Sequence, residues 1–486
     1  MGSKDIQNPK DNGAQVHDTS GSDSEATKPE YSSHGAHDFQ TVPPESDDNA
    51  NIYSQGGKNF RTLKRWDTIF ILFANQIGLG ILSLPSTLKT LGIIPGLIAL
   101  IGIGVLSWYT AYELLQFYRL HPQVVNVVEM TRFVGGSWLE GVAGVMMMIQ
   151  VIFVAASAIV TLSIALNTIS DHATCTVVFI FVAVAACYLL CIPRTTKFVS
   201  HLGIPNAVSV LAASILVMIS LGIKGPREVT DLDKWDRDIQ IVGNPSFRDG
   251  LNACLKITFA YAANLSFVGY MAEMVDPIKD FKFCLGFLES SCILLYSAFA
   301  IIFYCLGAEY TTSPILGATS VTPARVAYGV VLPAIYSTGL AYGHIGAKYI
   351  FVNVMRWTGS LHEVTSNTVK SWSTWVLSVT GFWIIVFILS NAIPVFDSIL
   401  SITSATTISW FTYGFSAVFW FNMNWHCLFR DWKKICLTLL NAFLIVMSLF
   451  MNAAGLWASI TELLDIFASD DSSIRGVFSC GSNAQF

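Results

Sequence analysis

The sequence predicts an all-α membrane protein of about eleven transmembrane helices, built as a five-plus-five inverted repeat with one extra helix. Three observations carry that expectation. The 486 residues are 53% hydrophobic and 13% charged, with a mean hydropathy of +0.55, which is roughly half the charge of a soluble domain. Apolar stretches long enough to cross a hydrocarbon core of about 30 Å recur along most of the chain. Two of these stretches, five spans apart, are interrupted near their centres by small and polar residues.

In chain order, residues 1–57 are polar, rich in Ser, Asp, Asn, Pro and Gly, with few large aliphatic side chains. Such a segment cannot bury enough apolar surface to offset its ordering entropy, so it reads as a disordered cytoplasmic tail. Ser22, Ser24 and Lys28 are acceptor types that suit regulation of turnover or plain solvation. The tail holds no apolar core with a cleavage site, so the first transmembrane helix is expected to act as the targeting signal.

A single transmembrane domain is expected over 58–468. Its spans fall near 67–88, 91–118, 141–169, 174–192, 202–223, 251–275, 283–307, 322–347, 372–390, 392–421 and 435–466. In lipid each backbone polar group must be paired internally, so each span is helical. Leu120–Glu140 is mixed and reads as a short interfacial helix. The division between the ninth and tenth spans rests on Asn391, Pro394 and Asp397. Basic residues cluster in alternate short loops, among them Lys64 and Arg65, Arg119 and Arg132, Arg194 and Lys197, Lys279 and Lys282, and Lys433 and Lys434. By the positive-inside rule those loops and the N-terminus are cytoplasmic, which leaves the 469–486 tail outside.

The ten cysteines include no CxxC or Cys/His pair at metal spacing. Cys187, Cys191, Cys292 and Cys305 lie in apolar runs as small hydrophobic filler. Cys175 and Cys254 fall near the outer surface, where a bridge between them is open. No metal site and no cofactor is expected. The net charge of -5 and the lack of a basic block argue against nucleic acid. Gly78-Leu79-Gly80 lacks the βαβ context of a nucleotide fingerprint.

The first interrupted span reads Phe73-Ala74-Asn75-Gln76-Ile77-Gly78-Leu79-Gly80-Ile81-Leu82-Ser83-Leu84-Pro85. Glycine eases unwinding and close approach, and proline removes a ladder hydrogen bond. Tight helix packing is the competing reading of a Gly-x-Gly. The sixth span carries a second polar break, Asn264 with Ser266, after Phe259-Ala260-Tyr261. Five is odd, so this span enters from the opposite face, as an inverted repeat requires. Two unwound segments side by side offer donors for a carboxylate and acceptors for an ammonium group or a cation. A zwitterionic amino acid needs both.

The run Gly78 to Pro85 resembles the first helix of the amino acid/auxin permease family, within the amino acid–polyamine–cation superfamily. The run Phe259-Ala260-Tyr261 to Glu273-Met274-Val275-Asp276-Pro277, followed by Lys279-Asp280-Phe281, is similar to fungal N-system neutral amino-acid permeases of the methyltryptophan-resistance type. The likeness extends over roughly 60–465 in span count and spacing. It implies the five-plus-five fold and proton-coupled symport of neutral aliphatic and aromatic amino acids into the cell at the plasma membrane. One departure stands out: Ala263-Asn264-Leu265 occupies the place of a Gly-His-Pro-like element, which removes a titratable group from that helix.

The expected substrate contacts are the backbone N–H groups around Ile77, Gly78, Leu79 and Gly80, with Phe259 and Tyr261 as an aromatic wall and Asn264 on substrate or on a freed carbonyl. Ser337 and Thr338, with the Asn75 region, stand where the resemblance places sodium in sodium-driven relatives. Hydroxyls bonding back to their own helix are the alternative. Intramembrane ionisable groups are candidates for function by default, and Glu113, Lys256, Glu273, Glu289 and His344 make up the set. Lys256 is placed to snorkel, and Glu273 to be solvated or paired with Lys282. Glu289 and His344 are the candidates for coupling to H⁺, which is favoured over Na⁺. No nucleophile-and-base pattern, P-loop or acidic ring is evident, which weighs against an enzyme, a primary pump or a channel. A vacuolar exporter of the same fold is the alternative to uptake. The oligomeric state is not legible in the sequence.

Overall fold

The computed structural model describes residues 61, 63–194, 203–229, 231, 233–364, 366–393, 395–468 and 476–483. The expected tail at 1–57, with Ser22, Ser24 and Lys28, lies outside the described residues, as do Lys197, Pro394 and part of the 469–486 tail. Every extended element is helical. Among the described residues β-pairing is confined to two isolated bridges, Leu63 with Met274 and Pro226 with Thr319.

The first span is broken. Helix α1 (Arg65–Gln76) leads through Ile77 and Gly78 into a 3-10 turn (Leu79–Ser83) and α2 (Leu84–Leu91), with a bend of 42° between the halves. Next come α3 (Ile93–Leu120), α4 (Val127–Ser170), α5 (Thr176–Cys191) and α6 (Gly203–Lys224). The sixth span is also broken, into α7 (Phe247–Ala260) and α8 (Asn264–Glu273). Then follow α9 (Pro277–Gly307), α10 (Val321–Trp357) and α11 (Val369–Ala392). Helix α12 (Phe396–Thr403) continues through π-helical turns at Ser404–Ile408 and Trp410–Gly414 into α13 (Phe415–Asn424). The last run is α14 (Trp432–Phe450), a π-helical turn at Met451–Gly455 and α15 (Leu456–Ala468).

Among the described residues eight helices are long and apolar enough to cross a membrane, nine with the bent α1–α2 pair, and α5 is a shorter apolar helix. With α5 and the π-interrupted α12–α13 run, the order reproduces the eleven expected stretches. The π-helical turns displace carbonyls from regular pairing, and in lipid these need other donors. Asn452 donates to the Ala405 carbonyl, and Ser448 Oγ donates to the Ser409 carbonyl at 3.0 Å. Polar side chains of the last span thus complete the backbone of the tenth.

Within Leu120–Glu140 a short helix starts at Val127 and is set off from the third span by the non-helical residues Gly135 and Gly136. Val127, Val128, Met130 and Thr131 are buried in the helix bundle. Lys256 does not snorkel to solvent. It is buried and paired with Asp397, whose other oxygen accepts from Ser313 Oγ at 2.5 Å.

The face where α1 begins is called the N-side here. On the opposite face the described part of the C-terminal segment returns to the bundle. Cys480 forms a disulfide with Cys175, and Cys254 is free, so the Cys175–Cys254 pairing is replaced by one that staples the end of the chain. Asn483 Nδ2 donates to Ser163 Oγ at 2.7 Å and its Oδ1 accepts from Asn167 at 2.7 Å. Thr176 Oγ1 donates to the Gly481 carbonyl. These contacts give buried polar groups at the ends of α4 and α5 their partners.

Candidate functional site

A cavity of about 340 Å³ lies where the two broken helices meet. Helix α1 ends at Gln76 because Ile77 leaves helical geometry (φ -80°, ψ 81°), and Gly78 is extended (φ -119°, ψ -152°). The chain restarts as a helical turn at Leu79. The leading N–H groups of such a turn have no carbonyl of their own helix to meet, and they carry the positive end of its dipole. Gly78, Leu79 and Gly80 line the cavity.

The second break spans Tyr261 to Ala263. Ala260, Ala262 and Ala263 line the cavity with Phe259. The two breaks touch at one point: a Cβ on Gly80 would lie 2.9 Å from the Ala260 Cα. Only glycine permits that approach. Behind both breaks stands Tyr296 of α9, whose hydroxyl lies 2.8 Å from the Gln76 carbonyl and 3.3 Å from the Ala260 carbonyl. One buried hydroxyl therefore serves the last carbonyl of each half-helix.

Of the residues singled out from sequence, Asn75, Gly78, Leu79, Gly80, Phe259, Ser337, Thr338 and His344 share this cavity. Glu273 lines it as well, and six others, Ile77, Tyr261, Asn264, Glu289, Glu113 and Lys256, stand outside its lining. Ile77 is buried away from the lining. Tyr261 packs its ring 5.2 Å from that of Tyr296 and against α3, where a Cβ on Gly104 would lie 2.8 Å from Tyr261 Cζ. Asn264 is fully buried, and its amide donates to Thr110 Oγ1 at 3.1 Å and to the Thr412 carbonyl at 3.2 Å. It ties α8 to α3 and to the second π-helical turn.

Glu289 is fully buried on α9. Its one hydrogen-bond partner among the described residues is Gln76, whose Nε2 stands 3.4 Å from both carboxyl oxygens. Gln76 lines the cavity, so Glu289 is one side chain removed from it. His344 lies on the α10 wall with its ring facing Trp375 at 6.1 Å. Glu113 is buried away from the cavity and accepts from Asn441 at 3.1 Å.

Among the described residues, four lining amides hold buried atoms without a partner: Asn75 Nδ2, Gln76 Oε1, Gln150 Oε1 and Asn206 Oδ1. Asn206 Nδ2 donates to the Ala74 carbonyl at 3.2 Å and so steadies the end of α1. Gln150 and Asn206 are polar residues in apolar runs, the one signal by which they are legible in sequence. Tyr296 carries no such signal, because a tyrosine in an apolar span reads as packing. Among the described residues no group of three or more His, Cys, Asp or Glu side chains could hold a metal ion.

A family model described as transmembrane amino acid transporter protein matches residues 61–461. The N amino acid transport system protein of Neurospora crassa is 29% identical over 431 residues, covering 88% of this chain and 90% of that protein. Proteins described as transmembrane transporters from Gibberella moniliformis and Fusarium pseudograminearum are each 26% identical over 439 residues, covering 88% of this chain and 90% and 89% of theirs. Among solved structures, the crystal structure of MhsT in complex with L-phenylalanine aligns with 84% of this chain and 99% of that one, at 16% identity and a TM-score of 0.45.

Proposed function

Because the chain belongs to the transmembrane amino acid transporter protein family, we propose that it carries neutral aliphatic and aromatic amino acids into the cell by proton-coupled alternating access. The cavity between the two helix breaks carries this reading. Its 340 Å³ is at the small end of the roughly 300–1,000 Å³ usual for small-molecule sites. The substrate carboxylate meets the N–H groups at the restart of the first span, and the ammonium group meets freed carbonyls of the breaks. Phe259, Ala262, Ala263 and Val154 supply apolar wall for the side chain.

A proton suits the driving role better than sodium. Thr338 Oγ1 donates to the Ala334 carbonyl of its own helix at 3.1 Å, and the Ala74 carbonyl already receives the Asn206 amide. Thr338 thus bonds back to its own helix, the alternative to ion ligation. Glu289 and His344 remain the proton candidates, and Glu289 is the better placed because Gln76 connects it to the α1 break. The N-side is the cytoplasmic side in this reading. Basic loops favour it, and a disulfide between Cys175 and Cys480 on the opposite face suits an oxidising compartment.

The test is uptake of labelled leucine and phenylalanine by cells displaying the chain at their surface, with external pH and sodium varied separately. Uptake that rises with external acid and collapses with a protonophore is the expected result. Absence of uptake from protein demonstrated at the surface would redirect the reading to export from a vacuole.

A further inference from the structure

We propose that Glu273 and Lys348 form the N-side gate of the carrier, an ion pair that is parted in this structure and closes as the start of α1 and the end of α8 swing together onto α10. The inference rests on the carrier reading and goes beyond it, because it assigns which side chains shut the cavity.

Glu273 and Lys348 are the two lining residues that bear a full charge from an Asp, Glu, Lys or Arg side chain. Both are exposed, and their charges are opposite. They stand at similar depth. Lys348 is ten residues beyond Thr338 along α10, and Glu273 is nine beyond the start of α8 at Asn264. At 1.5 Å per residue each lies roughly 15 Å to the N-side of the breaks. The two line one cavity, yet among the described residues neither makes an ion pair, and Lys282, nearer to Glu273 in the chain, instead faces the Tyr112 ring at 5.7 Å. Two exposed opposite charges that line one cavity at similar depth gain from contact once water is expelled from between them.

The moving body is also defined. Leu63 N donates to the Glu273 carbonyl at 3.1 Å, and Val275 N donates to the Leu63 carbonyl at 3.0 Å. Arg65 pairs with Asp280 at 2.5 Å. The chain entering α1 is thus joined by backbone to the end of α8 and by side chain to the first turn of α9, so α1 and α8 do not swing independently. At the opposite end the sixth span is already pinned, Lys256 of α7 to Asp397 of α12. One end of the pathway has its charges paired and the other has them apart.

The experiment compares E273K, K348E and the exchanged double variant, using full-length protein in proteoliposomes with labelled leucine. Each single reversal sets like charges face to face and is expected to lower uptake by about tenfold or more. The exchange restores the pair and returns uptake to within about threefold of the unaltered protein. A second readout is independent of cargo. In an I345C background, reaction with a membrane-impermeant thiol reagent applied from the N-side is expected to quicken in either single variant and to return to the parent rate in the exchange. Ile345 lines the cavity and is 39% exposed. Normal uptake and access in the single variants, or an exchange as impaired as either, overturns the gate. Access that follows the charges while leucine uptake is absent from every chain, the unaltered one included, overturns the cargo and leaves the gate standing.

Discussion

Gln76 meets two demands at once: its backbone carbonyl accepts from Tyr296 while its side chain donates towards Glu289. That places a carboxyl group one amide away from the cavity, with no cation bonded to it. A buried charge without a counter-ion is strongly disfavoured, so a proton on Glu289 and movement at the end of α1 are linked through a single residue. Replacing Glu289 with Gln keeps the shape and removes the proton. Uptake by E289Q is expected to lose its rise with external acid, and accumulation is expected to stop near the outside concentration. Unchanged acid stimulation in E289Q, measured as initial rate against external pH, would transfer the role to His344. Asn264 teaches a complementary lesson. Its polarity is plain in sequence, but its direction is not, and the fold turns it away from the cavity towards Thr110 and the Thr412 carbonyl.

Two broken helices are useful only if they meet, and Gly80 is where they do. A methyl group there would press on the Ala260 backbone at 2.9 Å, and backbone on both sides leaves no flexible side chain to yield. Gly80→Ala is therefore expected to part the breaks and reduce transport. Misplacement by about 1 Å in a positioned site costs on the order of 100-fold. The measurement is initial uptake normalised to surface protein, and a variant within a few-fold of the parent would refute the tight contact. The elements themselves were legible because lipid leaves the backbone one economical solution and so writes long apolar runs into the chain. The breaks were legible for the converse reason, since glycine and amides interrupt those runs. What sequence order conceals is partnership across space. Glu273 has Lys282 close by in the chain, but the opposite charge that shares its cavity, Lys348, comes from another helix. The π-helical turns at Ser404–Ile408 and Trp410–Gly414 are hidden for the same reason: their donors come from a different span.

At the scale of the molecule, the two faces are built differently. The N-side joins the entry of α1 to the end of α8 and leaves Glu273 and Lys348 apart, whereas the opposite face carries the Lys256–Asp397 pair and the stapled end of the chain. A carrier that opens and shuts needs one body to move against another, and this distribution of ties says where rigidity is concentrated. The Cys175–Cys480 link also encloses 305 residues of separation, far more than the Cys175–Cys254 alternative. Consider a specific protease site engineered into the 358–368 connection and cut to completion. On a denaturing gel without reductant the two pieces should migrate as one species of full mass, and reductant should release them. Had Cys175 been joined to Cys254, the pieces would separate under either condition. In electrophoretic terms, a chain severed about three quarters of the way along would still be a single covalent molecule.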